Sequence, residues 1–145
     1  MKTVYSFLLG MLLLTSCSPY DFDRHTARQL EGTWRFEKVT YNKFLSFNPD
    51  NITEKYSDME WKFQANGAVE EVNRSTNESW SGTWQLRELP NGDGTSISEI
   101  DIALRNDNTG ETKSYDLDGV TVSKKCFMAY TSRDGGTYRY NLEKK

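Results

Sequence analysis

The chain has 145 residues, of which 36% are hydrophobic and 27% charged, and its formal net charge is −3. This length and composition indicate one globular domain, and they exclude a membrane bundle and a disordered polymer. The charges are interspersed without a basic stripe, which argues against nucleic acid as a partner. Aromatic residues reach 13%, and Gly, Asn, Ser and Thr are frequent, which favours strands joined by tight turns.

Residues 1–16 have the pattern of an export signal. Lys2 supplies a positive charge, and the apolar run 4–14 is too short to span a bilayer core, which needs roughly 20 residues. The next residues, Leu14-Thr15-Ser16-Cys17, resemble the bacterial lipobox. The resemblance implies cleavage before Cys17 and acylation of that cysteine. The alternative is an ordinary signal peptide that contains a cysteine.

Acylation of Cys17 implies a protein held at a membrane by its lipid chains, without a transmembrane helix. Serine at position 18 resembles the signal that sorts lipoproteins to the outer membrane. We therefore expect the protein at the cell outer membrane, on either its periplasmic or its surface face. We expect residues 17–29 to form the lipidated N-terminus and a short linker, and residues 30–145 to form the folded domain. Cys126 then has no partner for a disulfide and is expected to behave as a small buried hydrophobe.

Eight segments show the alternation or the bounding turns of β-strands. The clearest is the second, because Met59, Trp61 and Phe63 alternate with polar residues and Asn66-Gly67 follows as a two-residue hairpin turn. The predicted strands are 32–41, 58–64, 68–75, 79–88, 96–105, 111–117, 120–131 and 137–142.

Two local features refine this prediction. The apolar face of the first strand changes parity between Phe36 and Val39, which predicts a β-bulge. Asp118-Gly119 is predicted to be the turn between the sixth and seventh strands.

The order of the strands predicts an all-β fold. Strands that follow one another through tight turns form a meander, and an open sheet of eight strands would leave two long edges unpaired. We therefore expect an eight-stranded antiparallel up-and-down barrel. A two-sheet β-sandwich is the alternative.

The triplet Gly-Thr-Trp occurs twice, at residues 32–34 and 82–84. A glycine two residues before a tryptophan lets the large ring fold against backbone that carries no side chain. Gly32, Trp34, Gly82 and Trp84 are therefore predicted to be structural, with the tryptophans at the base of the barrel and Trp34 as its seal.

These motifs resemble those of the lipocalins, and more closely those of the short lipocalin-like lipoproteins of Gram-negative bacteria. The resemblance covers residues 28–142 and is carried by segments 30–34, 61–67, 82–84 and 138–142. In lipocalins an arginine on a late strand lies across the indole of the Gly-x-Trp motif. The resemblance therefore implies that Arg139 lies over Trp34, as a cation–π contact.

Large rings on the inward faces are the candidate ligand contacts. An eight-stranded barrel has an interior that side chains can just fill or that can hold one small ligand. The rings therefore either line a binding cavity or are simply core. They are Trp61, Phe63, Trp80, Tyr115, Tyr138 and Tyr140.

The long connection 42–57 contains Phe44, Leu45 and Phe47. Loops of this length are usually functional or disordered, and apolar side chains argue against disorder. The three residues are predicted to form a lid over the open end of the barrel. The alternative is a permanent hydrophobic plug.

Catalysis is not expected from this sequence. His25 is the sole histidine and lies in the linker, and no spacing of His, Cys and carboxylates resembles a metal site. No metal or other cofactor is expected. The sequence predicts a membrane-anchored lipoprotein that binds or carries a small hydrophobic molecule in the cell envelope. The alternative is a structural or interaction lipoprotein of an envelope complex, with a filled barrel and no ligand.

Overall fold

The computed structural model describes residues 20–90, 92–93 and 95–145, with side chains within the N-terminal helix described from His25 onward. The export signal and the predicted acylation site Cys17 lie outside the described residues. Within the described ranges, no helix is both long enough and apolar enough to cross a bilayer.

The described chain is mostly β-strand. A helix, α1, precedes the sheet, and a 3-10 turn at Thr53–Tyr56 interrupts the first long connection. The elements are α1 (Tyr20–Leu30), β1 (Gly32–Lys43), β2 (Asp50–Asn51), β3 (Met59–Phe63), β4 (Ala68–Asn73), β5 (Glu78–Pro90), β6 (Ser96–Asn106), β7 (Thr112–Val122), β8 (Cys126–Arg133) and β9 (Gly136–Lys144).

The eight long strands form a closed barrel. From β3 to β9 each strand pairs antiparallel with the next, and β1 pairs with both β3 and β9. The two-residue β2 adds only to β1, outside this circuit. The pairing of β1 with β9 removes the two open edges, so the barrel prediction is confirmed and the sandwich is excluded.

The barrel has two ends that we call the base and the mouth. The base contains the start of β1, the 64–67 and 123–125 turns and the β5–β6 connection, and α1 contacts β5 and β7. The mouth contains the long connection after β1 and the turns at 74–77, 107–111 and 134–135.

The predicted bulge is confirmed, whereas the predicted turn is wrong. The register of β1 with β9 shifts between Phe36 and Lys38. At Asp118-Gly119 the chain does not reverse, because β7 continues to Val122. Gly119 instead lies at a register shift with β8, where its φ of +55° and the adjacent Tyr130 ring exclude a larger side chain. Glycine serves a bulge and a turn equally well, so the dipeptide alone did not distinguish them.

Trp34 lies at the centre of the base. Its side chain is fully buried, and its indole N–H donates a hydrogen bond of 2.6 Å to the carbonyl of Leu30, the last residue of α1. Phe127 packs edge-on against the indole, with 5.7 Å between ring centroids. The helix end and the tryptophan therefore close the base together.

The cation over Trp34 is Lys144, so the prediction of Arg139 is wrong. The Lys144 ammonium lies 5.2 Å from the indole centroid, and Lys144 pairs directly with Trp34. Arg139 is exposed and pairs with Thr40. In β9 the side chains of Tyr138 and Tyr140 point inward, and strand alternation therefore turns Arg139 outward.

The second Gly-Thr-Trp triplet lies on β5. The Trp84 indole N–H donates to the carbonyl of Gln64, and the ring meets Phe63 edge-on at 5.7 Å. Backbone atoms of Ala103 occupy the space that a side chain at Gly82 would need. Gly82 therefore allows β5 and β6 to approach closely at this point.

Candidate functional site

The six predicted ligand residues lie in the core or against it. Four of them are buried, namely Trp61, Phe63, Tyr115 and Tyr140. Trp80 and Tyr138 are partly buried and pack against that core. The structure therefore brings all six to the interior of the barrel, but with unequal access to solvent.

Trp61 occupies the middle of the barrel and contacts rings on several strands. The centroid of Trp61 lies 4.8 Å from that of Phe36, 5.2 Å from that of Tyr115 and 6.0 Å from that of Tyr140. Phe63 is 6.1 Å away. Side chains therefore fill this level of the interior, as the core alternative predicted, and a ligand has room only nearer the mouth.

A buried carboxylate, Glu71, lies beside these rings, and sequence reasoning missed it. The Glu71 side chain is 2% exposed and accepts hydrogen bonds from the Trp61 indole at 2.7 Å and the Tyr115 hydroxyl at 3.0 Å. Lys113 forms an ion pair with it, and the Lys113 ammonium lies 3.7 Å from the Trp80 centroid. Lys113 therefore balances the charge of Glu71.

A sequence signal for Glu71 exists. Val69 and Glu71 are two positions apart on β4, so they share the inward face, and both are buried. Val72 lies on the opposite face, so the apolar residues of this strand do not alternate regularly with the polar ones. An acidic residue on the inward face of a barrel strand indicates a buried polar network.

Arg133, which sequence reasoning also missed, lies at the mouth. It continues the inward alternation of β8 through Ala129 and Thr131. The guanidinium carbon lies 4.8 Å from the Tyr138 centroid and 5.4 Å from the Tyr115 centroid. The side chain is 38% exposed, so the cation is held by aromatic rings and remains accessible from solvent.

Further tyrosine rings pack against those that contact this guanidinium. Tyr138 and Tyr140 are stacked, with centroids 6.3 Å apart, and Tyr56 packs against Tyr140 at 6.0 Å. Burial, followed by the charge on Glu71, raises the pKa of Tyr115. Burial raises the pKa of Tyr56 and of Tyr140 as well. These hydroxyls therefore remain protonated at neutral pH.

The Tyr140 hydroxyl is a buried polar group of this site. The residue is fully buried, and among the described residues its oxygen forms no hydrogen bond of good geometry, although the neighbouring Tyr56 hydroxyl acts on its pKa. A buried polar group without such a bond is rare and makes the site a candidate for function. We refer to Tyr56, Tyr115, Arg133, Tyr138 and Tyr140 as the mouth cluster.

The plug prediction for the long connection is wrong. Phe44, Leu45 and Phe47 are 78%, 85% and 100% exposed, so they do not cover the barrel in this structure. Ile52 and Tyr56, from the same connection, pack against the core instead. A lid that closes over a ligand stays a prediction.

A groove of about 560 Å³ lies at the rim of the mouth, between the loop after β1 and the β8–β9 hairpin. Phe44, Leu45 and Lys43 line one side, and Arg133 and the hairpin glycines line the other. We call this space the rim groove. Arg133 therefore belongs both to the rim groove and to the mouth cluster.

The comparisons with known proteins add no relative. No family model, no curated protein and no solved structure matches this chain. Among the described residues, no group of three or more His, Cys, Asp or Glu side chains is arranged to hold a metal ion.

Proposed function

We propose that this protein is a lipid-anchored protein of the bacterial cell envelope whose barrel binds one small amphipathic molecule at its mouth. The observation that carries the proposal is the mouth cluster. Buried and partly buried aromatic rings, an accessible guanidinium and a buried hydroxyl without a hydrogen bond of good geometry lie together at one end of the described barrel. Binding sites typically combine apolar walls with a few convergent polar groups.

The packing of the core limits the size of the ligand. The rings around Trp61 fill the middle of the barrel, and Trp34 seals the base. A long chain inserted along the barrel axis would have to displace buried side chains. The ligand is therefore small, or only part of it enters the barrel.

Ligand binding is tested on the purified chain without its export signal. Native mass spectrometry after gentle extraction should reveal a bound small molecule, and a panel of lipids and aromatic acids should quench tryptophan fluorescence. Tyr138→Ala should weaken binding, whereas Tyr130→Ala, an exposed tyrosine on the neighbouring β8, should not. An absence of both a co-purifying molecule and quenching would contradict the proposal.

The membrane anchor is tested separately. Cells fed an alkyne analogue of palmitate should label the wild-type protein, and Cys17→Ala should abolish both labelling and membrane association. Cys126→Ala is the matched control, because Cys126 lies on β8 in the folded domain. Labelling that persists in Cys17→Ala would refute the predicted acylation site. Separation of outer and inner membranes then tests the proposed location in the outer membrane.

A second function, docking to an envelope protein, is favoured by one observation. Phe44, Leu45 and Phe47 expose apolar surface side by side at the mouth. Exposed apolar patches are commonly contact sites for partners. A photo-crosslinking residue at position 47 should then yield one discrete adduct in cells, which the same residue at Lys124, at the base, should not yield.

A further inference from the structure

Taking the proposed ligand-binding function as its basis, we propose that the ligand carries one carboxylate group, which binds the guanidinium of Arg133, while its apolar body lies in the rim groove. Three features of the site support this: its charge, the geometry of its donors and the apolar wall beside them.

The charge of the site favours a monoanion. Lys113 is paired with Glu71, so this pair contributes no net charge. The nearest carboxylate to Arg133 is that of Asp134, with 3.8 Å between the Arg133 Nε and the Asp134 Oδ2. The Asp134 side chain is 71% exposed, and ion pairs of this kind are weak because water screens them. Arg133 therefore supplies one positive charge that Asp134 compensates only weakly, and one carboxylate would neutralise it.

The geometry of the donors suits a planar anion. A guanidinium presents parallel N–H groups that match the two oxygens of a carboxylate. The rings of Tyr115 and Tyr138 hold the guanidinium of Arg133 in place, which reduces the entropy lost on binding.

The rim groove provides the apolar wall. Arg133 lines this groove together with Phe44 and Leu45, whose side chains are mostly exposed. An apolar or aromatic body bound here would cover both of them. Lys43, on the same side of the groove, adds positive charge that attracts an anion from solution.

Three probes that differ only in their head group test this inference. They are 4-phenylbutyrate, 4-phenylbutanol and 4-phenylbutylammonium, with binding to the folded chain measured by calorimetry and by NMR. We expect the carboxylate to bind at least tenfold more tightly than the alcohol, as a charge-assisted hydrogen-bonded pair provides. The ammonium should bind most weakly, because it meets Arg133 as a like charge.

Substitutions assign the effect to particular side chains. Arg133→Gln should remove the preference for the carboxylate while changing the affinity for the alcohol less than about twofold, and Arg133→Lys should restore part of the preference. Arg139→Gln, an exposed arginine on β9, is the control and should leave the preference intact.

The outcomes separate the two proposals. If the carboxylate and the alcohol bind equally, or if Arg133→Gln weakens both equally, the carboxylate site is refuted while ligand binding stands. If no ligand in this series or in the broader panel binds, the proposed function fails, and the carboxylate site fails with it. Thermal unfolding of each variant establishes that the barrel is intact before binding is compared.

Discussion

The base and the mouth of this barrel are built from the same alternating strands but solve different physical problems. At the base, Trp34 is fully buried, its one polar atom bonds to Leu30, and the cation of Lys144 lies against its ring. At the mouth, Arg133 lies against tyrosine rings, and the Tyr140 hydroxyl forms no hydrogen bond of good geometry with any residue that the structure describes.

The contrast favours the mouth over the base as the candidate site. Leaving a buried polar group unpaired destabilises a fold, whereas sealing a barrel with a tryptophan stabilises it. Since the Trp34 indole N–H is satisfied and the Tyr140 hydroxyl is not, the mouth is the end at which a ligand would improve the energy of the folded state. Proteins depart from local rules of this kind mainly at functional sites.

The largest expected effect comes from opening the base. Trp34→Ala should lower the free energy of unfolding by about 4 kcal/mol, because it removes a fully buried ring and leaves a cavity. Trp80→Ala, at the mouth, should cost about half as much, since that ring is only partly buried. Urea unfolding measures both. Equal losses would contradict the distinction between the two ends.

The next largest effect comes from the buried carboxylate. Glu71→Ala should lower the free energy of unfolding by about 3 kcal/mol, because Lys113, Trp61 and Tyr115 all lose their acceptor. Adding Lys113→Met should recover part of that loss. Glu70→Ala, next in sequence but with a side chain 42% exposed, should cost less than about 1 kcal/mol. Equal losses in chemical denaturation would mean that Glu71 is not an essential buried acceptor.

A smaller effect tests which cation covers the base. Lys144→Ala should lower the free energy of unfolding by about 1–2 kcal/mol, since Lys144 contacts Trp34 and donates a 2.9 Å hydrogen bond to the Gln29 carbonyl. Arg139→Ala should change it by less than about 0.5 kcal/mol, as expected for an exposed side chain. A larger loss for Arg139→Ala would restore the arrangement that the lipocalin resemblance implied.

The smallest expected effect concerns the contribution of one carboxylate at the mouth to stability at low pH. Hydrogen bonds from Ser81 and then Ser79 lower the pKa of Asp107 below its ordinary value of 3.8. The ionised carboxylate therefore adds stability that is present above pH 3.8 and is lost as the pH falls through the lowered pKa. NMR titration of Asp107 should show Ser81→Ala raising the pKa, and Ser123→Ala, at the base, leaving it unchanged. An unchanged pKa in Ser81→Ala would refute the assignment.

Much of the barrel was predictable because strand alternation and turn residues are local signals. Met59, Trp61 and Phe63 alternate with polar residues, and the change of parity after Phe36 marked the bulge. The prediction of a turn at Asp118-Gly119 was wrong because glycine permits a left-handed backbone in either a bulge or a turn. Which of the two forms depends on the register with β8.

The mouth was harder to predict, since its contacts join residues far apart in the chain. Glu71 meets Tyr115 across 44 positions, and Arg133 meets Tyr115 although the two lie on different strands. The alternation of residues along β4 and β8 already indicated that Glu71 and Arg133 point inward. The sequence did not indicate which side chains they contact, because those contacts depend on how the sheet closes.

The sequence by itself determined an all-β chain, the inward rings and the tryptophan at the base, because period-two patterning and glycine placement act over a few residues. Only the tertiary structure decided that Lys144 covers Trp34, that rings fill the middle of the barrel, and that Arg133 lies over the Tyr138 ring at the mouth. Closure of the sheet fixes these relations, since the register of eight strands sets which distant side chains share the same small interior.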